Sequence, residues 1–241
     1  MIVRAAPGYP ARVTAPIVAI DGPAGAGKST VARQLARRLG FTIIDTGAIY
    51  RSVALAAQRA GIAWEDDTGL SRLLDAGLGL TFQGERVLLR GEDVTEAIRT
   101  PEISRGASVV SARPVVRQKL LQLQRDLGRA APRGAVLEGR DIGTVVFPDA
   151  DVKFFLTASD EARAQRRHAE LNEKGLSVPL PEVLSDQRRR DKDDTERAIA
   201  PLRAAADAVV VDTTGFDLEQ VVERCFRVAS QRLKHLISGQ P

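Results

Sequence analysis

Residues Gly22, Pro23, Ala24, Gly25, Ala26, Gly27, Lys28 and Ser29, followed by Thr30, spell the pattern G-x-x-x-x-G-K-[ST]. An apolar run, Ile17 to Ile20, leads into it, and an amphipathic stretch, Thr30 to Leu39, leads out. A strand, a glycine-rich turn and a helix in that order aim successive backbone N–H groups and a helix N-terminus at one point, which suits a polyphosphate. Lys28 can then bridge the outer two phosphates, and the Ser29 hydroxyl can meet Mg2+. A glycine turn that merely caps a helix has no need of Lys followed by Ser, so the loop predicts a nucleotide site.

Four further segments place charge where a second anion could sit. Asp45-Thr46-Gly47-Ala48-Ile49-Tyr50-Arg51 opens a helix after a second apolar run, with Arg51 one turn in. Two readings stay open there: Arg51 faces an anion, or Thr46 is an N-cap and Arg51 a surface residue. Gly139-Arg140-Asp141 follows a third apolar run, and neighbours in sequence rarely face one another, so each charge needs its own partner. Arg113 and Arg117 stand four residues apart, as do Arg190 and Asp194, and Arg197 lies seven after Arg190 on the same helical face. Exposed pairs at that spacing contribute only about 0.3 to 0.5 kcal/mol. Guanidiniums converging on a cleft make better sense of so much arginine.

Such an inventory suits phosphoryl transfer between nucleotides. The attacking phosphate oxygen is already ionised at neutral pH, so positioning and charge neutralisation replace a strong general base. Neither His168 nor His235 lies in a promising context. Cys225 continues an apolar series with Leu218, Val221, Val222, Phe226 and Ala229, as a packed thiol would.

The elements that must hold these residues alternate along the chain. Strands are expected at Ile17–Asp21, Thr42–Asp45, Ala135–Glu138, Val152–Leu156 and Ala208–Asp212. Helices are expected near Lys28–Leu39, Ile49–Ala60, Pro114–Arg129, Ser159–Lys174 and Asp217–His235. That alternation predicts an α/β fold, a five-stranded doubly wound parallel sheet whose carboxyl ends carry the ligands. Prolines 101 and 114 stand where first helical residues belong. From about residue 70 to 111 the alternation breaks into a short helix, a hairpin of Leu78–Phe82 and Val87–Leu89 around Gly84-Glu85, and another helix, so a small inserted subdomain is expected there. Gln187 to Arg197 is a run of mixed charge with no apolar face, a candidate lid spanning about residues 181–201. One domain, residues 16–236, follows a loose leader, residues 1–15, and precedes a short tail, residues 237–241.

Composition sets the outer limits. The chain has 241 residues, 44% hydrophobic and 27% charged, and no apolar run approaches the 18 or so that a membrane helix needs. Met1 to Pro16 lacks the apolar segment of a signal peptide, and the single Cys225 forms no internal disulfide, so a cytoplasmic protein is expected. The net charge is +4 and the pI about 9.6, mostly from arginine. Aromatics are 4% of residues and are not interleaved with the basic stretches, which argues against single-strand nucleic-acid binding.

At this point the residues are recognisable as similar to the bacterial cytidylate kinases of the nucleoside monophosphate kinase family. The resemblance runs from about residue 17 to 236 and rests on I-D-G-P-A-G-A-G-K-S-T, D-T-G-A-I-Y-R, G-E-D-V-T-E-A-I-R-T, E-G-R-D-I-G-T-V-V-F-P-D-A and R-R-R-D-K-D-D-T-E-R-A-I-A-P-L. It implies a P-loop kinase with an enlarged monophosphate-binding region and a helical lid, using ATP and Mg2+ on CMP or dCMP. By matching position it implies Arg51 and Arg140 on the acceptor phosphate, and Thr46, Arg117, Asp141 and Arg197 around the cytosine. Ser108, Arg190 and Asp194 would reach the sugar. Lys28, Arg140, Arg190 and Arg197 would act on the transferred phosphoryl group, with Ser29 on the metal and Asp21 or Asp141 as carboxylates steadying it through water. Cytosine carries an amine donor beside acceptors, so a carboxylate paired with a guanidinium can read it, whereas uracil would leave Asp141 facing a carbonyl. The implied partners are small nucleotides, with neither nucleic acid nor membrane, and the expected state is a monomer. Thr46 stands where many relatives have Ser, which keeps the hydroxyl and adds a methyl.

Rival readings meet specific residues. A regulatory GTPase would share the loop, and Asp212-Thr213-Thr214-Gly215 spells D-x-x-G, but guanine reading there uses N-K-x-D and the one asparagine, Asn172, is followed by Glu173. A kinase of shikimate, a nucleoside or another monophosphate is nearer, yet would not need both the G-R-D and the long insert. A nucleic-acid-binding protein would bind oligonucleotides without ATP and lose them to salt.

Overall fold

The computed structural model describes residues 15–173 and 175–237, so nearly all of the leader, most of the tail and the side chain of His235 lie outside the described residues. Strands β1 (Ile17–Asp21), β2 (Thr42–Asp45), β6 (Ala135–Gly139), β7 (Val152–Thr157) and β8 (Val209–Asp212) form one parallel sheet in the order β2-β6-β1-β7-β8. The central strand reads I-V-A-I-D and is buried along its whole length. Both faces are apolar because helices cover both, as parallel crossovers require. Val18 and Ile20 point into one core with Val136, Phe154 and Leu156, while Ile17 and Ala19 point into the other with Ala135, Leu137 and Phe147.

Helices α1 (Lys28–Leu39) and α8 (Leu218–Ile237) pack on the first face. Val31, Ala32, Leu35 and Ala36 of α1 are its buried stripe, spaced for one helical face. Gly40 ends the helix in the left-handed region, φ 69°, and its N–H returns to Ala36 and Arg37. Register then fixes the functional edge: Asp21 lies opposite Gly139 and Phe155, and Asp45 opposite Glu138. The loop, the D-T-G turn and the G-R-D turn therefore leave the sheet side by side.

Helix α2 (Thr46–Arg59) begins three residues earlier than the expected Ile49, directly from β2. Asp45, not Thr46, is its N-cap, accepting the Ala48 N–H at 2.9 Å. The second core gathers α2, α3 (Asp67–Asp75), the antiparallel strands β3 (Leu80–Gln83) and β4 (Arg86–Leu89), α4 (Pro101–Ala112) and α5 (Pro114–Arg129). A third strand, β5 (Glu92–Asp93), pairs with β4; two acidic residues carry no alternation by which to foresee it. At the hairpin tip, Glu85 accepts from Arg37 of α1 at 3.2 Å and pairs with Arg33 at 3.1 Å.

Two segments differ from the expected pattern beyond β6. Ile142–Val146 winds into a π-helical turn, which its short apolar run did not suggest. Helix α7 (Leu180–Glu196) starts well before the charged run and is anchored by Val183 and Leu184 against Ala164 and Leu171 of α6 (Asp160–Glu173). Gln187 is buried and donates to the Asp160 carbonyl at 3.2 Å. The run Gln187–Arg197, expected to have no apolar face, thus turns a polar residue inward. Among the described residues no helix is long and apolar enough to cross a membrane.

Candidate functional site

The glycine loop leaves the sheet as it does because no side chain fits at its first residue. Gly22 has φ 147°, and a Cβ there would lie 2.0 Å from the Leu156 carbonyl oxygen of β7. At the start of α1, Lys28 is 7% exposed and donates its ammonium to the Pro23 carbonyl at 2.7 Å. Burial, with Arg140 nearby, pushes its pKa down to about 7 against the pull of Glu138 and Asp21.

Two arginines absent from the sequence reading hold this loop from behind. Arg163 on α6 is 4% exposed. It donates to the Ala24 carbonyl at 3.0 Å and reaches Asp160 and Asp191 at 2.6 and 2.5 Å. Arg166 donates to the Thr213 hydroxyl at 2.9 Å and to its carbonyl at 2.7 Å, and lies 3.4 Å from the Gly25 carbonyl. Their position one and two turns into the helix after β7 was the available signal.

Glu138, the last glutamate of β6, was also missed although it stands in the E-G-R-D run. It is buried, its pKa is raised by burial and then by Asp45, and the Ser29 hydroxyl and Lys28 draw it back. Its carbonyl accepts the Thr46 hydroxyl at 2.7 Å. Arg51 is not a free surface residue: it donates to Asp45 at 2.7 Å, and its Nε is buried without a partner.

Arg140 and Asp141 diverge, each to a distant partner. Arg140 donates to the Gly22 carbonyl of the loop at 3.0 Å and to Asp194 of α7 at 2.9 Å. Asp141 accepts from Arg117 of α5, both being buried. Arg117 also donates to the Ser111 carbonyl at 3.1 Å and lies 5.7 Å above the Tyr50 ring. Arg113, four residues earlier, points the other way to exposed Asp67.

The charged face of α7 closes this group. Arg197 lies 3.4 Å from Asp194 and 3.8 Å from Asp141, and its Nη2 is buried with no hydrogen-bond partner. Burial pushes the Asp194 carboxyl up, but Arg140, Arg197 and Arg190 outweigh it and its pKa is lowered. Arg190 is half-buried beside them, its pKa lowered by burial and by Arg140. Orphaned guanidinium nitrogens on Arg51 and Arg197 are donors held ready for an acceptor.

Not every expected residue joins. Ser108 donates to the Ser104 carbonyl of its own helix at 3.3 Å and makes no hydrogen bond to Arg190 or Asp194. Both oxygens of Asp21 accept backbone N–H groups, of Ile142 at 2.8 Å and Gly143 at 2.7 Å. Asp141 is occupied by Arg117. Among the described residues, no three His, Cys, Asp or Glu side chains converge as a metal site. Burial pushes the Cys225 thiol up to about 12, as a packed thiol requires.

Comparison with known proteins gives a consistent result. The family model described as cytidylate kinase matches residues 18–231. A cytidylate kinase from Geobacter sulfurreducens is 55% identical over 220 residues, covering 90% of this chain and 93% of its own. One from Syntrophotalea carbinolica is 53% identical over 220 residues, covering 90% and 92%. A solved gluconokinase from Sinorhizobium meliloti is 16% identical, with a TM-score of 0.49 over 95% of this chain and 100% of that one, too loose a likeness to bear on activity.

Proposed function

Because the chain belongs to the cytidylate kinase family and so transfers the γ-phosphoryl group of ATP to CMP or dCMP, we propose that the glycine loop holds the donor and the Arg117–Asp141 pair reads the acceptor base. The observation that carries this division is Arg140, one guanidinium bonded both to the Gly22 carbonyl of the loop and to Asp194 beside the acceptor group.

In this reading the backbone N–H groups of Gly22 to Thr30 receive the donor phosphates, and Lys28 leaves the Pro23 carbonyl to bridge the outer two. Ser29 and the Glu138 carboxylate beside it are the groups suited to Mg2+ and its water. Mg2+ bound with the nucleotide supplies charge neutralisation across the phosphates. Arg51 and Arg140 hold the acceptor phosphate, whose ionised oxygen attacks with no protein base. Asp141, oriented by Arg117, accepts from the cytosine amine, while Thr46 and Arg197 border the base. Arg190 and Asp194 meet the sugar, and Ser108 would have to leave the Ser104 carbonyl to join them. Closing α7 over both nucleotides excludes the water that would otherwise take the phosphoryl group. We place this chemistry in the cytoplasm, a reducing compartment that suits the buried free thiol of Cys225, and in a monomer.

A coupled assay offering CMP, dCMP, UMP, AMP and shikimate with ATP and Mg2+ tests the reading. CMP and dCMP should lead UMP by a factor of about 100 or more in kcat/KM, the discrimination expected when a buried polar group would be left mismatched. Equal use of UMP would remove Asp141 from the base. Sedimentation of the full chain tests the monomer.

A further inference from the structure

We propose that Asp21 is a positioning residue whose carboxylate ties the strand entering the glycine loop to the turn that presents Arg140 and Asp141. Asp21 ends β1 opposite Gly139 in the sheet register and is 4% exposed. One oxygen accepts from Ile142 N–H at 2.8 Å and the other from Gly143 N–H at 2.7 Å. Those two amides open the π-helical turn, where a helical start has no carbonyl of its own to pair with. A return bond runs the other way, from Arg140 to the carbonyl of Gly22, the residue after Asp21. Three bonds thus lock Asp21 and Gly22, where the donor strand enters its loop, to three residues of the acceptor turn, Arg140, Ile142 and Gly143.

The chemistry of the clasp calls for an aspartate. Two converging N–H donors need two acceptor atoms on one short side chain, and a carboxylate has both. Asparagine would turn an NH2 toward one of the amides, donor against donor. With the backbone fixed on both sides of Asp141, by β6 before it and by Asp21 after it, its carboxylate is held on Arg117. At the far end of the turn Arg125 donates to the Val145 and Val146 carbonyls at 3.1 and 2.9 Å. The charged groups facing Asp21 are Asp141 and Lys28; Lys153 of β7 turns its ammonium to Pro148 and Asp207. Burial pushes the Asp21 carboxyl up to about 6, so the clasp is ionised at neutral pH and protonates in mild acid.

This inference rests on Asp141 reading the base, and the test separates the two. Asp21→Asn and Asp141→Ala are compared in steady-state kinetics with CMP, UMP and ATP, together with amide hydrogen exchange at Ile142 and Gly143 in the full chain. Asp21→Asn is expected to raise the CMP KM about tenfold, shrink the CMP-over-UMP preference about tenfold, leave the ATP KM within about twofold, and speed exchange at both amides. An unchanged preference in Asp21→Asn alongside a collapsed one in Asp141→Ala overturns the positioning role and keeps the base reader. An unchanged preference in Asp141→Ala overturns the base reader itself. If Asp21→Asn does not fold, the wild-type enzyme decides: its CMP-over-UMP ratio, in which the similar phosphate ionisations cancel, must fall between about pH 7.5 and 5.5. A flat ratio overturns the proposal.

Discussion

Arg117 and Asp141 meet in an ion pair whose side chains are 8% and 7% exposed, bringing the buried face of α5 to the end of β6. A pair this dry is held by geometry from every side: the Ser111 carbonyl and the Tyr50 ring take the rest of the guanidinium.

Asp141→Ala should lower kcat/KM for CMP by a factor of about 100 while the ATP KM moves little. It strands a buried guanidinium, and stability should fall by about 3 kcal/mol, the loss usual when one partner of a buried pair is removed. Chemical denaturation and steady-state kinetics on one preparation measure both. A full-activity variant would contradict the site.

Lys28 gives a proton-linked prediction. Its pKa in the folded chain is lowered to about 7 from 10.5, so between those values the unfolded state carries more protons and this group's contribution to stability rises with pH. Polyphosphate at the loop favours the ammonium. Binding of a non-hydrolysable ATP analogue at about pH 8, where the triphosphate is itself fully ionised, should therefore take up protons. Titration calorimetry in buffers of different ionisation heat reads that uptake, which should vanish in Lys28→Met. No uptake in the wild type would return Lys28 to an ordinary exposed pKa.

Arg163→Ala should raise the ATP KM about tenfold and spare the CMP KM, because it releases the Ala24 carbonyl of the loop and also Asp191 of α7. Arg163→Lys, with one donor group in place of a fork, should recover only part of the loss. Equal effects on both substrates would mean general loosening instead.

Gly22→Ala should be among the most damaging single changes, since a methyl would sit 2.0 Å from the Leu156 carbonyl oxygen at a φ of 147°. A stability loss of at least about 2 kcal/mol is expected, with ATP binding abolished. Thermal unfolding and nucleotide titration test it; a well-folded, ATP-binding variant would show that the backbone can adapt.

The sheet was legible because its physics is local. Each strand is a short apolar run, and all but β6 lead into a periodic helix, so the five strands and the glycine loop could be read directly. The guanidinium cluster was legible in its members but not in its pairing. Nothing in the spacing of Arg140 says that it bonds Gly22, or that Asp194, four residues after Arg190, pairs with Arg140 and Arg197 instead. Glu138 and Arg163 escaped for a related reason. Their roles depend on burial beneath the loop, and burial of a charged residue leaves no periodic trace. The π-helical turn was hidden because Ile142 to Val146 is too short and too apolar to declare its winding.

Neighbouring strands β1 and β6 run in parallel with Asp21 facing Gly139, and that pairing does more than stabilise a sheet. In the proposed reading the span that a phosphoryl group must cross follows from the ladder between β1 and β6, to which neither α7 nor the inserted hairpin contributes a strand. Inserting one residue into β6 would shift the acceptor grip along the strand by about 3.3 Å and turn its side chains to the opposite face. A change in α7 or in the inserted hairpin leaves that register untouched.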